Sequence, residues 1–203
     1  MNDGILLSGG MDSISLAWWK NPSTAYTVDY GQLAAEAEIA ASSSICKRLN
    51  IPHHIITVDC KNLGSGDMAG TDQDPFAPAS DWWPYRNQLI ITLVAMKAIK
   101  HGIERLWIGT VQSDGSHLDG TPPFIGSISE LLHMQEGKIT VEAPAIEMST
   151  PDLVRHSGIP LEHLAWAHSC HKSIVPCGTC RGCNKYFNVI KELGYELDRL
   201  EQP

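Results

Sequence analysis

The sequence has no cluster of basic residues: 15 Lys and Arg are outnumbered by 23 Asp and Glu, for a formal net charge of −8. Proteins whose main partner is a nucleic-acid backbone neutralise phosphates with grouped Lys and Arg, so nucleic acid is not expected as a partner. No run of about 18 consecutive apolar residues occurs, which excludes an ordinary membrane-spanning helix. Internal repeats and low-complexity tracts are also missing, which excludes solenoids and compositionally driven disorder. The G-x-x-x-x-G-K-[ST] pattern is absent, and with it the lysine that reaches the β- and γ-phosphates in a Walker loop. A glycine-rich turn as early as residue 8 leaves no room for a signal peptide, so a cytoplasmic location is expected.

What is present is one strong loop. Ser8-Gly9-Gly10-Met11-Asp12-Ser13 directly follows the apolar run Ile5-Leu6-Leu7, and residues 13–19 read as a helix. Strand, glycine turn and helix start together make an anion site. Glycines let the backbone point its N–H groups inward, and the helix start adds unpaired N–H groups and the positive end of its dipole. Ser8 and Ser13 add hydroxyl donors. Asp12 either places Mg²⁺ on the phosphates or caps the helix.

The chain of 203 residues, 43% apolar, is long enough for one compact domain with a small appendage. Strands are expected at 5–7, 24–29, 53–58, 105–109 and 139–143. Helices are expected at 33–49, 86–100, 124–135 and 150–156, the last with Thr150 as N-cap and Pro151 in its first turn. This alternation predicts an α/β fold, a Rossmann-like parallel sheet of about five strands with helices on both faces. Ligands then bind outside the carboxyl ends of the strands, where every polar motif singled out here lies. Residues 1–160 are read as the nucleotide-binding domain and 161–203 as a small C-terminal element packed on it as one unit.

That element carries the second signal. Cys177, Cys180 and Cys183 are spaced C-x2-C-x2-C, and Cys170 lies upstream. In a cytosolic enzyme such a cluster points to metal rather than disulfides. Four thiolates suit a closed tetrahedral Zn²⁺ site. An iron–sulfur cluster is the rival, weakened because no cysteine follows three residues after Cys183. His168 and His171 flank Cys170 but are not needed as ligands. A closed shell implies a structural role, so losing a cysteine is expected to hurt stability more than nucleotide affinity.

Several single residues stand out. Arg86 at the start of the central helix opposes the helix dipole, so binding of pyrophosphate or a carboxylate is a better reason for it. Asn87 reads as a cap. Asp114 and Asp119 either bind a purine-like edge or metal, or form a solvated turn with Gly115 and Gly120. Trp82 and Trp83 either stack on a flat base or anchor the loop over 59–83 on the core.

The S-G-G-x-D-S string resembles the PP-loop of ATP pyrophosphatases. Together with the C-terminal cysteine cluster it resembles the 7-cyano-7-deazaguanine synthase family. Tyr30-Gly31-Gln32 followed by Glu36, Pro84-Tyr85-Arg86-Asn87, and Gly109-Thr110-Val111-Gln112-Ser113-Asp114 are similar to family segments, and Ser116 and Asp119 match the next segment in part. The resemblance implies an ATP site built from Ser8, Gly9, Gly10, Met11, Asp12, Ser13, Tyr30, Gln32 and Gly109. It also implies catalytic work by Arg86, Asp114 and Asp119. Implied cofactors are ATP, Mg²⁺ and Zn²⁺. The implied reaction adenylates a 7-deazaguanine acid, and ammonia or another amine, such as one on a protein or peptide, captures the adenylate. A homodimer is one assembly open to the chain. Departures are clear: Thr121 stands near where the family has an arginine, and Ser149-Thr150 where it has a lysine. These fit a divergent paralogue with another amine acceptor as well as they fit a nitrile-forming enzyme. A tRNA-modifying PP-loop enzyme and a non-catalytic nucleotide-binding zinc module are the remaining alternatives.

Overall fold

The computed structural model describes residues 2–195, except the side chain of Ser116; Met1 and residues 196–203, the end of the expected C-terminal element, lie outside the described residues. Five strands, β1 (Asp3–Leu6), β2 (Thr24–Asp29), β3 (His53–Thr57), β4 (Arg105–Ile108) and β5 (Thr140–Glu142), pair in parallel in the order β3-β2-β1-β4-β5. The helices are α1 (Met11–Lys20), α2 (Ala35–Leu49), α3 (Arg86–Ala98), α4 (Pro122–His133), α5 (Thr150–Ser157), α6 (Leu161–Leu164) and α7 (Arg181–Glu192). The expected Rossmann-like α/β architecture is the one observed.

The strands sort their side chains by alternation, as a pleated sheet covered on both faces requires. Ile5, Leu7, Ala25 and Trp107 join Ile14, Leu16, Ala41 and Val154 from α1, α2 and α5 on one face. Tyr26, Val28, Leu106 and Ile108 join Ile91, Val94, Ile125 and Ile128 from α3 and α4 on the other. Ile5, Leu7, Ile14 and Leu16 are fully buried, each contributing ~1.5–3 kcal/mol by leaving water.

Two details differ from expectation. The N-cap of α5 is Ser149, not Thr150: Ser149 Oγ accepts from Asp152 N at 3.2 Å and donates to its carboxylate at 2.6 Å. Thr150 is thereby turned inward and buried. Helix α7 was not expected at all, yet Val189 and Ile190 sit in the same cluster as Ile14 and Val154. The C-terminal segment therefore shares the main core.

The strand order reverses between β1 and β4. At such a switch point the loops leaving neighbouring strands diverge and open a crevice. Here the loop of residues 8–10 and the segment from Gly109 to Asp114 leave those two strands, and α7 closes over them.

Candidate active site

A cleft of about 890 Å³ opens at this point, lined among others by Ser8, Asp12, Tyr30, Arg86, Asp114 and Lys185. The glycine turn forms its floor. Gly9 has φ +75° and packs so closely on α2 that a Cβ would lie 2.5 Å from Glu38 O, so only glycine fits. Ser13 Oγ closes the turn: it receives Ser8 N at 3.2 Å, donates to Gly10 O at 3.0 Å and meets Ser8 Oγ at 3.1 Å. The first helical bond runs from Ile14 N to Gly10 O, and no side chain caps α1. The N–H groups of its first turn thus face the cleft without a side-chain acceptor, which is the arrangement that holds anions.

Asp12 does not cap α1. Its Oδ2 accepts from Lys185 Nζ at 2.8 Å, while Oδ1 is buried with no hydrogen-bond partner among the described residues. Burial pushes the Asp12 carboxyl up from its ordinary value, against the pull of Lys185. Lys185 also lies 3.5 Å from Asp114 Oδ1. Burial alone would favour the neutral amine, but the Asp12 and Asp114 charges outweigh it and hold Lys185 as ammonium.

On the opposite wall, Arg86 opens α3 beside Tyr30, Asp119 and Glu38. Its Nε donates to Asn87 Oδ1 at 3.2 Å, and no carboxylate lies within ion-pairing distance of it among the described residues. Asn87 N donates to Asp119 Oδ2 at 3.3 Å and Asn87 Nδ2 to Asp119 O at 3.0 Å. Asp119 therefore docks its loop on the start of α3 while still lining the cleft. Trp83 is 3% exposed and meets Tyr30 edge-on at 4.9 Å. It anchors the loop, as one of the two sequence readings had it.

Gln32 is buried behind this wall and does not line the cleft. It accepts from Tyr30 N at 2.9 Å and donates to Val28 O at 3.1 Å and Glu38 Oε2 at 2.8 Å. Glu36 is exposed, and Glu38, two residues on, is the acid that lines the cleft. Helical phase decides this, because residues two apart on a helix do not share a face.

Burial raises Glu38 from 4.5 to about 7, opposed by the Gln32 hydrogen bond and Arg86. Between those values the folded chain keeps a proton that the unfolded chain has released, so the contribution of Glu38 to stability falls as pH rises through that window. Glu38→Gln keeps the bond from Gln32 and cannot ionise. It should raise the melting temperature at pH 8, with an upper bound of ~3 kcal/mol, and change little at pH 4. Calorimetry at both pH values checks this; an equal shift at both would show that ionisation is not the cause.

At the mouth, Asp81 gathers three partners from other segments: Arg181 Nη1 at 3.4 Å, His171 Nδ1 at 3.5 Å and His117 Nε2 at 3.8 Å. This network ties the loop over 59–83 to the C-terminal element.

The four cysteines expected to bind metal converge. Sγ atoms of Cys170, Cys177, Cys180 and Cys183 all lie within 4.8 Å of one another, with 3.9 Å for both Cys177–Cys183 and Cys170–Cys180. Tetrahedral Zn–S bonds of about 2.3 Å place sulfurs ~3.8 Å apart, so the cluster fits zinc. Backbone N–H groups of His171, Cys180 and Cys183 point at these sulfurs at 3.4 Å. Gly182 between Cys180 and Cys183 is obligatory, because a Cβ there would collide with Ser169 O. The cluster is not remote from the glycine turn. His168 N donates to Gly9 O at 2.8 Å, and Cys170, Arg181 and Lys185 line the cleft. The sequence-based separation of stability from nucleotide affinity therefore does not follow from this geometry.

Of the residues expected from sequence, Ser8, Gly10, Met11, Asp12, Ser13, Tyr30, Arg86, Gly109, Asp114 and Asp119 line one cleft; Gly9 and Gln32 support it from behind. Lys185, Glu38, Asp81 and Arg181 were missed. The spacing Cys183, Tyr186, Val189, Ile190 is a helical stripe that would have revealed α7 and placed Lys185 on it. Cys46 and Cys60 do not line the cleft, and burial pushes the Cys46 thiol up to about 12. No helix among the described residues is long and apolar enough to cross a membrane.

Comparison with known proteins places this cleft in context. The family described as "Queuosine biosynthesis protein QueC" matches residues 4–193. A 7-cyano-7-deazaguanine synthase of Campylobacter fetus is 30% identical over 208 residues, covering 92% of this chain and 91% of the relative. That of Nautilia profundicola is 29% identical over 218 residues, covering 97% and 96%. One from Methanococcus maripaludis is 27% identical, covering 93% and 94%.

Proposed function

The chain belongs to the QueC family of queuosine biosynthesis proteins, and from that premise we propose that it is an ATP-dependent carbon–nitrogen ligase that adenylates a 7-deazaguanine carboxylate. The observation that carries this reading is the convergence, in one cleft, of an uncapped helix N-terminus, Arg86 and the Asp12–Lys185–Asp114 group. A carboxylate oxygen of the substrate bonds to the α-phosphorus of ATP. The α–β anhydride bond breaks and pyrophosphate leaves with the electron pair. Ammonia then displaces AMP and loses a proton, giving the primary amide. The amide oxygen attacks the α-phosphorus of a second ATP, a second pyrophosphate leaves, and loss of AMP with the remaining N–H protons gives the nitrile.

No side chain acts as a covalent nucleophile. The N–H groups at the start of α1 hold phosphate oxygens, and Arg86 neutralises charge where the acid meets the phosphorus. Asp12, with its unpartnered Oδ1, and Asp114 are the carboxylates that would hold magnesium, which supplies further charge neutralisation when bound. Zinc on the four cysteines has a closed shell and takes no part in bond making.

A second reading changes only the acceptor. Leu118 and Tyr85, beside Asp119 and Arg86, are 89% and 79% exposed. Exposed apolar side chains next in the chain to two cleft residues suit the docking of an amine larger than ammonia, such as one on a peptide or protein. Incubation with ATP, the 7-deazaguanine acid and ammonium should yield AMP and pyrophosphate only when the acid is present, and mass spectrometry should find amide or nitrile. Acid-dependent AMP without those products, and an amine-linked adduct instead, would favour the second reading. ADP and free phosphate as products would overturn both.

A further inference from the structure

Lys185 is the only lysine among the residues that line the cleft, and it comes from the end of the chain that carries the four-cysteine cluster. Its Nζ lies 2.8 Å from Asp12, in the first turn of α1, and so beside the helix N-terminus that faces the cleft. Across the mouth of that helix, Ser149 and Thr150 at the start of α5 offer only hydroxyls. The Thr150 hydroxyl is buried and, like Asp12 Oδ1, has no hydrogen-bond partner among the described residues. A purely structural ion pair would gain by satisfying both carboxylate oxygens, since buried unpaired polar atoms are costly. This one leaves an oxygen and a neighbouring hydroxyl, both buried in the cleft wall, outside the ion pair.

We infer that Lys185 is a catalytic residue that contacts the phosphates leaving as pyrophosphate, and that the four-cysteine cluster is what delivers it. The inference rests on the adenylation reading above. As the α–β anhydride bond breaks, the electron pair moves onto pyrophosphate. The ammonium stays protonated and neutralises that charge, exchanging Asp12 for a phosphate oxygen. At 32% side-chain exposure it has room to make the exchange. Delivery follows from local geometry. Cys180 is the N-cap of α7 and its sulfur accepts from Cys183 N, Gly182 is pressed against Ser169, and Lys185 lies two residues beyond Cys183. The first turn of α7 is thus clamped by metal ligands on one side, while Val189 and Ile190 hold the helix in the core.

The test is titration of AMP and of inorganic pyrophosphate into the zinc-loaded wild type, Lys185→Gln and Lys185→Arg. Glutamine should weaken pyrophosphate binding by at least about tenfold, the loss of one charge-assisted contact, and leave AMP within about threefold. Arginine should retain most of the pyrophosphate affinity. In the wild type, pyrophosphate but not AMP should protect Lys185 from acetic anhydride, read by mass spectrometry; this arm does not depend on a variant folding. Unchanged pyrophosphate binding, equal loss of both ligands, or absence of protection would overturn the role of Lys185. A wild type that binds neither ligand would instead overturn the proposed nucleotide site itself.

Discussion

Replacing Arg86 by alanine should lower the rate of acid-dependent AMP formation by about 30- to 1,000-fold, the ~2–4 kcal/mol lost when a preorganised donor to developing charge is removed. The expectation rests on where the side chain lies. Arg86 faces Tyr30, Glu38 and Asp119, yet has no ion-pair partner among the described residues. A cation held by a helix start, beside acidic groups but not spent on them, is kept for a ligand. The same variant removes the positive charge that opposes the raised Glu38 carboxyl, so its proton should be held more tightly still. Lys at position 86 keeps the charge but not the planar fork, and should recover only part of the rate. Rates of pyrophosphate exchange into ATP, measured with the acid present, isolate the adenylation step. An alanine variant with wild-type exchange would remove Arg86 from the site.

Removing the metal should cost both stability and nucleotide binding. The purified chain is expected to carry one zinc, and Cys183→Ser should lose it. Structural zinc supplies about 10–16 kcal/mol in isolated zinc-finger peptides; losing about a third of that, at ~2–4 °C per kcal/mol for a chain of this size, is a fall of ~7–20 °C in melting temperature. Pyrophosphate affinity should fall with it, because Lys185 and Arg181 on α7 line the cleft and His168 is bonded to Gly9. Elemental analysis, calorimetry and pyrophosphate titration on the same samples check the three parts. Iron with labile sulfide would replace zinc as the metal. Intact pyrophosphate binding in a metal-free chain would return the cluster to a remote role.

The parts legible in the sequence were those with a short-range cause. The run Ile5-Leu6-Leu7 into Ser8–Ser13 could only be a strand feeding a glycine turn and a helix, because adjacent residues dictate each step. The cysteines could be grouped because three fall within seven residues. The five strands were found because each is a short apolar-rich run between polar breaks, even though edge strand β3 buries none of its residues.

Where spatial neighbours decide, the sequence was ambiguous or misleading. Glu36 and Glu38 are equal candidates as letters; the phase of α2 over the sheet puts Glu38 in the cleft and Glu36 in solvent. Gln32 looks like a ligand contact, but the turn after β2 folds it inward onto Tyr30 and Val28. Asp12 was weighed against a cap, and its actual partner stands 173 residues away.

The sequence by itself thus determined the α/β class, the glycine turn after the first strand and the grouping of the four cysteines, because local backbone chemistry and residue spacing suffice for each. Only the tertiary structure decided that these are one site. The reversal of strand order between β1 and β4 opens the cleft, and the core contacts of Val189 and Ile190 bring α7 over it. Long-range burial sets both, and no window of neighbouring residues contains that information.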